Sequence, residues 1–160
     1  MDELERIEQI IKHFTNKRIK IAIAESCTGG FISHMFTNVS GASKVFERGI
    51  VCYSNESKMD LLNVDPKSLE INGAVSENVV RQLTSNIRAL SRVKIGIGIS
   101  GIAGPTGGTP EKPVGTVFIG YSTEKETKVE KHNINAERIE FKKKVLNVIL
   151  EHLEKKFINS

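Results

Sequence analysis

A short apolar segment that ends abruptly in small and polar residues constrains the fold of this chain more than any other feature. Residues 19–30 read IKIAIAESCTGG, and apolar residues recur at helical spacing immediately afterwards. A β-branched apolar run is typical of a buried strand, so the sequence predicts a strand, a tight turn and a helix. Such a turn directs its side chains and the free amides of the helix into the crevice at the carboxyl end of a sheet. We therefore expect the ligand site there.

Four further segments are predicted as strands: the first mixes β-branched and aromatic residues, the second alternates isoleucine with glycine, and the last two are expected to form a hairpin. They span residues 45–54, 93–100, 116–122 and 129–134. Strands interleaved with helices indicate an α/β fold. At 160 residues, such a chain buries roughly 70% of the surface that its unfolded form exposes. We expect a single-domain three-layer α/β/α sandwich with a mixed sheet over residues 1–160.

The helices are predicted from apolar stripes and from capping residues. An amphipathic helix is expected at the N-terminus, and a longer one opens at Ser76 with an apolar stripe that extends to Leu90. Asn55 and Asn135 are predicted to cap the helices that follow them. Pro66 is predicted to begin a turn.

Composition narrows the class of function. The net charge is +4, aromatic residues make up 6% of the chain and there is no tryptophan. Few aromatic residues argue against the stacking platforms of single-strand binders. Much of the excess charge lies on the last helix, where a solvated helical face explains it better than a nucleic-acid surface. The lysines concerned are Lys142, Lys143, Lys144, Lys155 and Lys156.

Cysteine usage and hydropathy favour a cytoplasmic protein. Two cysteines, Cys27 and Cys52, are too few for a disulfide scaffold. No apolar segment approaches the roughly 20 residues that a membrane span requires, and the acidic N-terminus is unlike a signal peptide. We expect neither a membrane nor a nucleic-acid partner.

The turn itself holds two candidate nucleophiles. Ser26 stands at a strand-to-helix turn, where amides near Thr28, Gly29 and Gly30 could receive an oxyanion or a phosphate. Cys27 is the alternative, since the same location would lower the pKa of a thiol. The structural alternative, that Ser26 or Thr28 only caps the helix, remains open at this point.

Tyr53 and Lys58 flank the second strand-to-helix turn. A lysine in the first turn of a helix is disfavoured in its charged form by the helix dipole and by burial, as a general base requires. Tyr53 could relay or position the proton. A surface lysine beside a half-buried tyrosine is the plainer interpretation.

The remaining candidates could bind an anion or cover a ligand. Arg138 lies in the first turn of the last helix, where a guanidinium and helix amides together suit a phosphate; a surface ion pair is the alternative. Ser100 precedes a loop rich in glycine and proline, at residues 101–115, which matches neither the Walker nor the GxGxxG pattern. The four histidines are dispersed, so no metal site is predicted.

Four motifs together resemble the CinA C-terminal domain family, and the resemblance covers nearly the whole chain. They are AESCTGG at 24–30, GIVCYSNESKMDLLNV at 49–64, GAVSENV at 73–79 and SGIAGPTGGTPEKPVGTV at 100–117. The family is associated with nicotinamide mononucleotide deamidase activity, which releases nicotinate mononucleotide and ammonia in pyridine nucleotide recycling. Some members are fused to a larger N-terminal domain, and this chain is similar to the stand-alone form.

The resemblance implies a hydrolase with a serine nucleophile and an assisting lysine, at Ser26 and Lys58, with Tyr53 beside them. The chain departs from the family pattern at Ser100, where family members more often have threonine. No cofactor or metal is implied, and we expect a small nucleotide substrate and a homo-oligomer. The predicted substrate-binding residues are Glu25, Thr28, Gly29, Gly30, Ser100, Gly101, Gly104 and Arg138.

Two other functions remain open from the sequence. A module of the same fold could bind a nucleotide or a partner without turnover, and would then be stabilised by ligand without releasing ammonia. A nucleic-acid binder would require a clustered basic face and a steep salt dependence.

Overall fold

The computed structural model describes all 160 residues and contains one five-stranded sheet in the order β2-β1-β3-β4-β5. The strands are β1 (Ile21–Glu25), β2 (Phe46–Val51), β3 (Ile95–Gly101), β4 (Thr116–Ser122) and β5 (Thr127–Asn133). The first strand runs parallel to both β2 and β3, whereas β3, β4 and β5 pair in antiparallel fashion. The mixed sheet is confirmed, and β1 lies inside its parallel half.

Six α-helices cover the two faces of the sheet. They are α1 (Glu3–Lys17), α2 (Phe31–Thr37), α3 (Asn55–Leu62), α4 (Pro66–Asn72), α5 (Glu77–Ser91) and α6 (Arg138–Leu153). A core of 24 buried residues joins one face to α1, α2 and α6, and a smaller core of 10 joins the other face to α3, α4 and α5. The three-layer sandwich is therefore confirmed.

The first strand shows how the sequence produces these layers. All five of its residues are buried. Successive side chains of a strand point to opposite faces, so Ile21 and Ile23 enter the larger core while Ala22 and Ala24 enter the smaller one. The apolar run at the start of the organising segment is thus a central strand, buried on both sides.

Glycines let α5 approach the sheet closely. A Cβ on Gly96 would lie 2.6 Å from the carbonyl oxygen of Thr84, and a Cβ on Gly98 or Gly120 would overlap the Thr84 hydroxyl. Gly98 and Gly120 are partners across β3 and β4. The glycines of the third strand therefore serve helix packing, as their spacing indicates.

Several boundaries differ from the prediction. Ser54 rather than Asn55 is the N-cap of α3, because its hydroxyl accepts from the amide of Ser57 at 3.0 Å. Glu137 rather than Asn135 occupies the N-cap position of α6. Pro66 begins helix α4 instead of a turn, with Asp65 as its cap. Leu90 does not belong to the buried stripe of α5, since half of its surface is exposed.

None of the helices is both long and apolar enough to span a bilayer.

Candidate functional site

Ser26 occupies the turn between β1 and α2, at the carboxyl end of the buried strand. Its backbone N–H donates to Ile99 O at 3.0 Å, and its own carbonyl accepts from Gly29 N at 3.0 Å. The chain reverses through Gly29 and Gly30, whose φ angles are 59° and 98°. Left-handed backbone of this kind favours glycine. The turn therefore fixes Ser26 from both sides.

Glu25 determines the conformation of this turn. Its carboxylate is fully buried and accepts four hydrogen bonds: from Thr28 Oγ1 at 2.5 Å and from the amides of Gly30, Ile32 and Ser33 at 2.8–3.2 Å. The amides of the first helical turn usually lack internal partners, and here Glu25 supplies them. Glu25 and Thr28 thus bond to each other and present no free side chain to a substrate.

The predicted anion-binding amides need a correction. The N–H groups of Gly29 and Gly30 are already used, by Ser26 O and by the Glu25 carboxylate. The N–H groups of Cys27 and Thr28 donate to no acceptor within the chain. Preorganised free amides beside a nucleophile are what an oxyanion site requires. The available donors are therefore those of Cys27 and Thr28.

Lys58 reaches Ser26 from the second strand-to-helix turn. It belongs to α3, is 1% exposed, and its Nζ lies 2.9 Å from Ser26 Oγ. The same nitrogen lies 2.8 Å from Cys52 O, 3.0 Å from Tyr53 O and 3.5 Å from Ser54 O. No carboxylate forms an ion pair with it. Lys58 is therefore a buried amine held among a hydroxyl and backbone carbonyls.

Burial lowers the pKa of Lys58 from its ordinary value of 10.5. Thiolates at Cys52 and Cys27 would act in the opposite direction, but burial raises the pKa of both thiols, which stay neutral near pH 7. A neutral amine has two hydrogens and one lone pair. Two carbonyls can accept the hydrogens, so the lone pair is free to accept the Ser26 proton.

The rival nucleophile Cys27 is poorly suited to ionise. Its side chain is 7% exposed, and burial raises the pKa of the thiol to about 12. The thiolate is the nucleophilic form of cysteine, and little of it exists at neutral pH with such a pKa. Tyr53 lines the same cleft as Ser26; it is 61% exposed, and its contact with Lys58 is through the backbone carbonyl.

The loop that follows β3 is fastened over the turn. Arg138, the first residue of α6, donates from Nε to Gly104 O at 3.1 Å, which leaves its two terminal nitrogens unbonded. On the other side, Lys112 Nζ donates to Asn72 O at 2.6 Å. Ser100 is buried, and its hydroxyl makes no hydrogen bond within the chain. The loop is thus held at two points, and the Ser100 hydroxyl faces inward beneath the loop.

These elements line an open cleft of about 260 Å³, just below the usual range for small-molecule sites. Of the predicted site residues, Ser26, Tyr53, Lys58, Ser100, Gly101, Gly104 and Arg138 line it. Glu25, Thr28, Gly29 and Gly30 shape the turn behind the cleft and do not line it. The opposite wall is formed by Ala74 and Val75, which precede α5 and were not predicted as site residues although they lie in the GAVSENV motif.

No group of three or more His, Cys, Asp or Glu side chains is arranged to hold a metal ion. The reactive and hydrogen-bonding groups at the cleft include the Ser26 hydroxyl, the buried amine of Lys58, the free amide of Cys27 and the guanidinium of Arg138.

Comparison with known proteins identifies the fold and the family. The family model of the CinA C-terminal domain matches residues 3–157. The chain is 43% identical over 152 residues to a CinA-like protein of Thermotoga maritima, which covers 94% of this chain and 37% of the relative. The chain spans about a third of the length of the curated relatives that it matches first.

Solved structures agree with this assignment. The competence/damage inducible protein CihA of Agrobacterium tumefaciens superposes with a TM-score of 0.92 at 34% identity, covering 97% of this chain and 95% of that one. The competence damage-inducible protein A of Klebsiella pneumoniae gives a TM-score of 0.93 at 28% identity, with 98% and 97% covered. The match of fold, sequence and family model places this chain in the CinA C-terminal domain family.

Proposed function

We propose that this chain is an amidohydrolase that deamidates nicotinamide mononucleotide to nicotinate mononucleotide and ammonia. The observation that carries the proposal is the contact between Lys58 Nζ and Ser26 Oγ, at 2.9 Å in a buried setting. A nucleophile within hydrogen-bond reach of a base is the arrangement that covalent catalysis requires. The family resemblance supplies the substrate.

Acylation uses the neutral form of Lys58. The amine takes the proton of Ser26, and Oγ attacks the carboxamide carbon to give a tetrahedral intermediate. The oxyanion is held by the free amide of Cys27, which follows the nucleophile directly and belongs to a residue that lines the cleft. When the carbon–nitrogen bond breaks, the ammonium of Lys58 returns its proton to the leaving amide nitrogen. Ammonia departs, and the nicotinoyl group remains as an ester on Ser26.

Deacylation repeats the proton transfers with water. Neutral Lys58 takes a proton from a water molecule, whose oxygen attacks the ester carbon, and the same amide holds the second oxyanion. The ester bond breaks, Ser26 Oγ recovers the proton from Lys58, and the carboxylate product leaves. Amide and water are thus converted to carboxylate and ammonium with no cofactor.

The rest of the cleft fits a nucleotide. The unbonded hydroxyl of Ser100 can hydrogen-bond the ribose or the carboxamide, and the terminal nitrogens of Arg138 can donate hydrogen bonds to a phosphate. The backbone of residues 101–107 provides one wall close to both.

The deciding experiment measures ammonia release from nicotinamide mononucleotide, with nicotinamide and glutamine as competing amides. We expect turnover of the nucleotide, loss of at least about 10³-fold in Ser26→Ala, and retained activity in Cys27→Ala, with unchanged circular dichroism in both. Stabilisation by the nucleotide without any ammonia would instead favour a binding module. Loss in Cys27→Ala with activity kept in Ser26→Ala would assign the nucleophile to the thiol.

A further inference from the structure

Lys142 was predicted on a solvated helical face, but it is a half-buried cation beside the turn that carries Ser26, and the proposed chemistry does not use it. Its Nζ lies 3.6 Å from the position that a Cβ on Gly29 would occupy. Its charge also lowers the pKa of the Cys27 thiol, in opposition to burial. Both observations place the ammonium next to the turn that carries Ser26.

The Lys142 ammonium has no partner in the chain. It forms no hydrogen bond and no ion pair, whereas the next residue, Lys143, pairs with Glu140 at 3.8 Å. A partly desolvated ammonium without an acceptor is unfavourable. The position of Lys142 is thus better suited to a bound anion than to the free chain.

Arg138 lies one helical turn before Lys142 on the same face of α6. Residues four apart on a helix are neighbours, and like charges at this spacing repel each other. Arg138 uses only Nε, on Gly104 O, so its terminal nitrogens remain available. Glu137, at the N-cap, makes no capping hydrogen bond. Arg138 thus lines the cleft, Lys142 lies one helical turn further along beside Gly29 of the Ser26 turn, and neither side chain is paired with an anion of the chain.

We propose that Lys142 and Arg138 together bind the phosphate of the substrate, and that Lys142 makes the site select nucleotides over nucleosides. A phosphomonoester dianion between the two side chains relieves the repulsion between the two cations and gives each of them a partner. The planar guanidinium contributes directional hydrogen bonds, and the ammonium contributes a point charge. The inference deepens the proposed function and rests on it for the identity of the substrate. The anion site itself is independent of turnover.

The kinetic test compares a phosphorylated and an unphosphorylated amide. kcat and KM are measured for nicotinamide mononucleotide and nicotinamide riboside in the wild type, Lys142→Met, Lys142→Arg and the control Lys143→Met. We expect KM for the mononucleotide to rise by about ten-fold or more in Lys142→Met, with the riboside unaffected. Lys142→Arg should restore most of the difference in KM between the two substrates, and Lys143→Met should change the kinetics of neither substrate. Equal losses for both substrates would overturn the inference, since they indicate an effect on the reacting centre.

A binding test separates this inference from the proposed function. The shift in melting temperature is measured with nicotinate mononucleotide and with inorganic phosphate for the same four proteins. Stabilisation of the wild type that is reduced in Lys142→Met and kept in Lys143→Met supports the anion site, even if no amide is turned over. Equal stabilisation of the wild type and Lys142→Met, or stabilisation of neither, overturns it.

Discussion

Lys58 Nζ lies 2.9 Å from Ser26 Oγ, although the two residues are 32 positions apart in the chain. The contact exists because β1 and β2 are parallel neighbours, so the turns that leave their carboxyl ends meet at one edge of the sheet. Lys58 then bends back towards the carbonyls of residues 52–54, which hold its amine against the serine. The sheet topology thus brings a hydroxyl and a buried amine together from two separate helix starts.

The first prediction concerns the pH dependence of turnover. The active form of Lys58 is the neutral amine, and burial lowers its pKa below 10.5. Activity should therefore fall as the pH drops through this lowered pKa and reach a plateau above it. We expect kcat/KM for ammonia release, measured between about pH 6 and 10, to show one ascending limb with a midpoint below 10.5. Lys58→Arg should be inactive throughout, because a guanidinium does not deprotonate; an active Lys58→Arg variant would contradict the role of Lys58 as base.

The second prediction concerns Glu25 as the residue that holds the turn. In Glu25→Gln, one carboxylate oxygen becomes an NH₂ group, which faces the amide donors of α2 and leaves at least one without an acceptor. We expect the free energy of unfolding to fall by about 1–3 kcal/mol, together with kcat, because the Ser26 turn loses its support. Thr28→Val removes only one of the four donors, so it should lower the free energy of unfolding by less. Urea denaturation measures both, and an unchanged midpoint in Glu25→Gln would exclude this capping role.

The layered fold could be predicted from the sequence pattern, whereas the pairing of Ser26 with Lys58 was implied by the family resemblance, since the residues alone favoured a surface lysine. A β-branched strand buried on both faces has a recognisable composition, and parallel strands bring the turns at their carboxyl ends together. The choice between Ser26 and Cys27 was not available from the sequence, because it depends on how deeply the thiol is buried. Burial raises the pKa of the Cys27 thiol. The extent of that burial is determined by the fold rather than by the local sequence pattern.

The predictions that were wrong share a physical cause, which is that side chains form hydrogen bonds across turns of the chain. The sequence marks Glu25 as a polar residue next to a nucleophile, and only the reversal of the chain shows that its carboxylate reaches the amides of α2. Ser54 and Asn55 are both good capping residues, and the backbone geometry alone decides between them. The tether from Lys112 to Asn72 O joins residues 40 positions apart, so no local pattern could indicate it.

The third prediction tests the contact between α5 and the sheet. A Cβ on Gly120 would meet only side-chain atoms of Thr84, whereas a Cβ on Gly98 would also lie 3.0 Å from the Thr84 backbone nitrogen. Gly120→Ala and Gly98→Ala should each destabilise the fold by about 1–3 kcal/mol through overpacking. Adding Thr84→Ala should recover more stability for Gly120→Ala than for Gly98→Ala. Double-mutant cycles in urea measure the difference, and equal recovery would contradict this packing geometry.

The last prediction concerns the loop that covers the cleft. Lys112 Nζ bonds Asn72 O at 2.6 Å, next to Ala74 and Val75 in the opposite wall, so this hydrogen bond joins the two sides of the cleft. Lys112→Met removes the bond while keeping the length of the side chain. Because an untethered loop must be ordered at each binding event, KM for the mononucleotide should rise several-fold while kcat changes less. The loop should also be cleaved faster in limited proteolysis. Lys125→Met, in the exposed β4–β5 turn, is the matched control; if it and Lys112→Met behave alike in both assays, the tether does not organise the cleft.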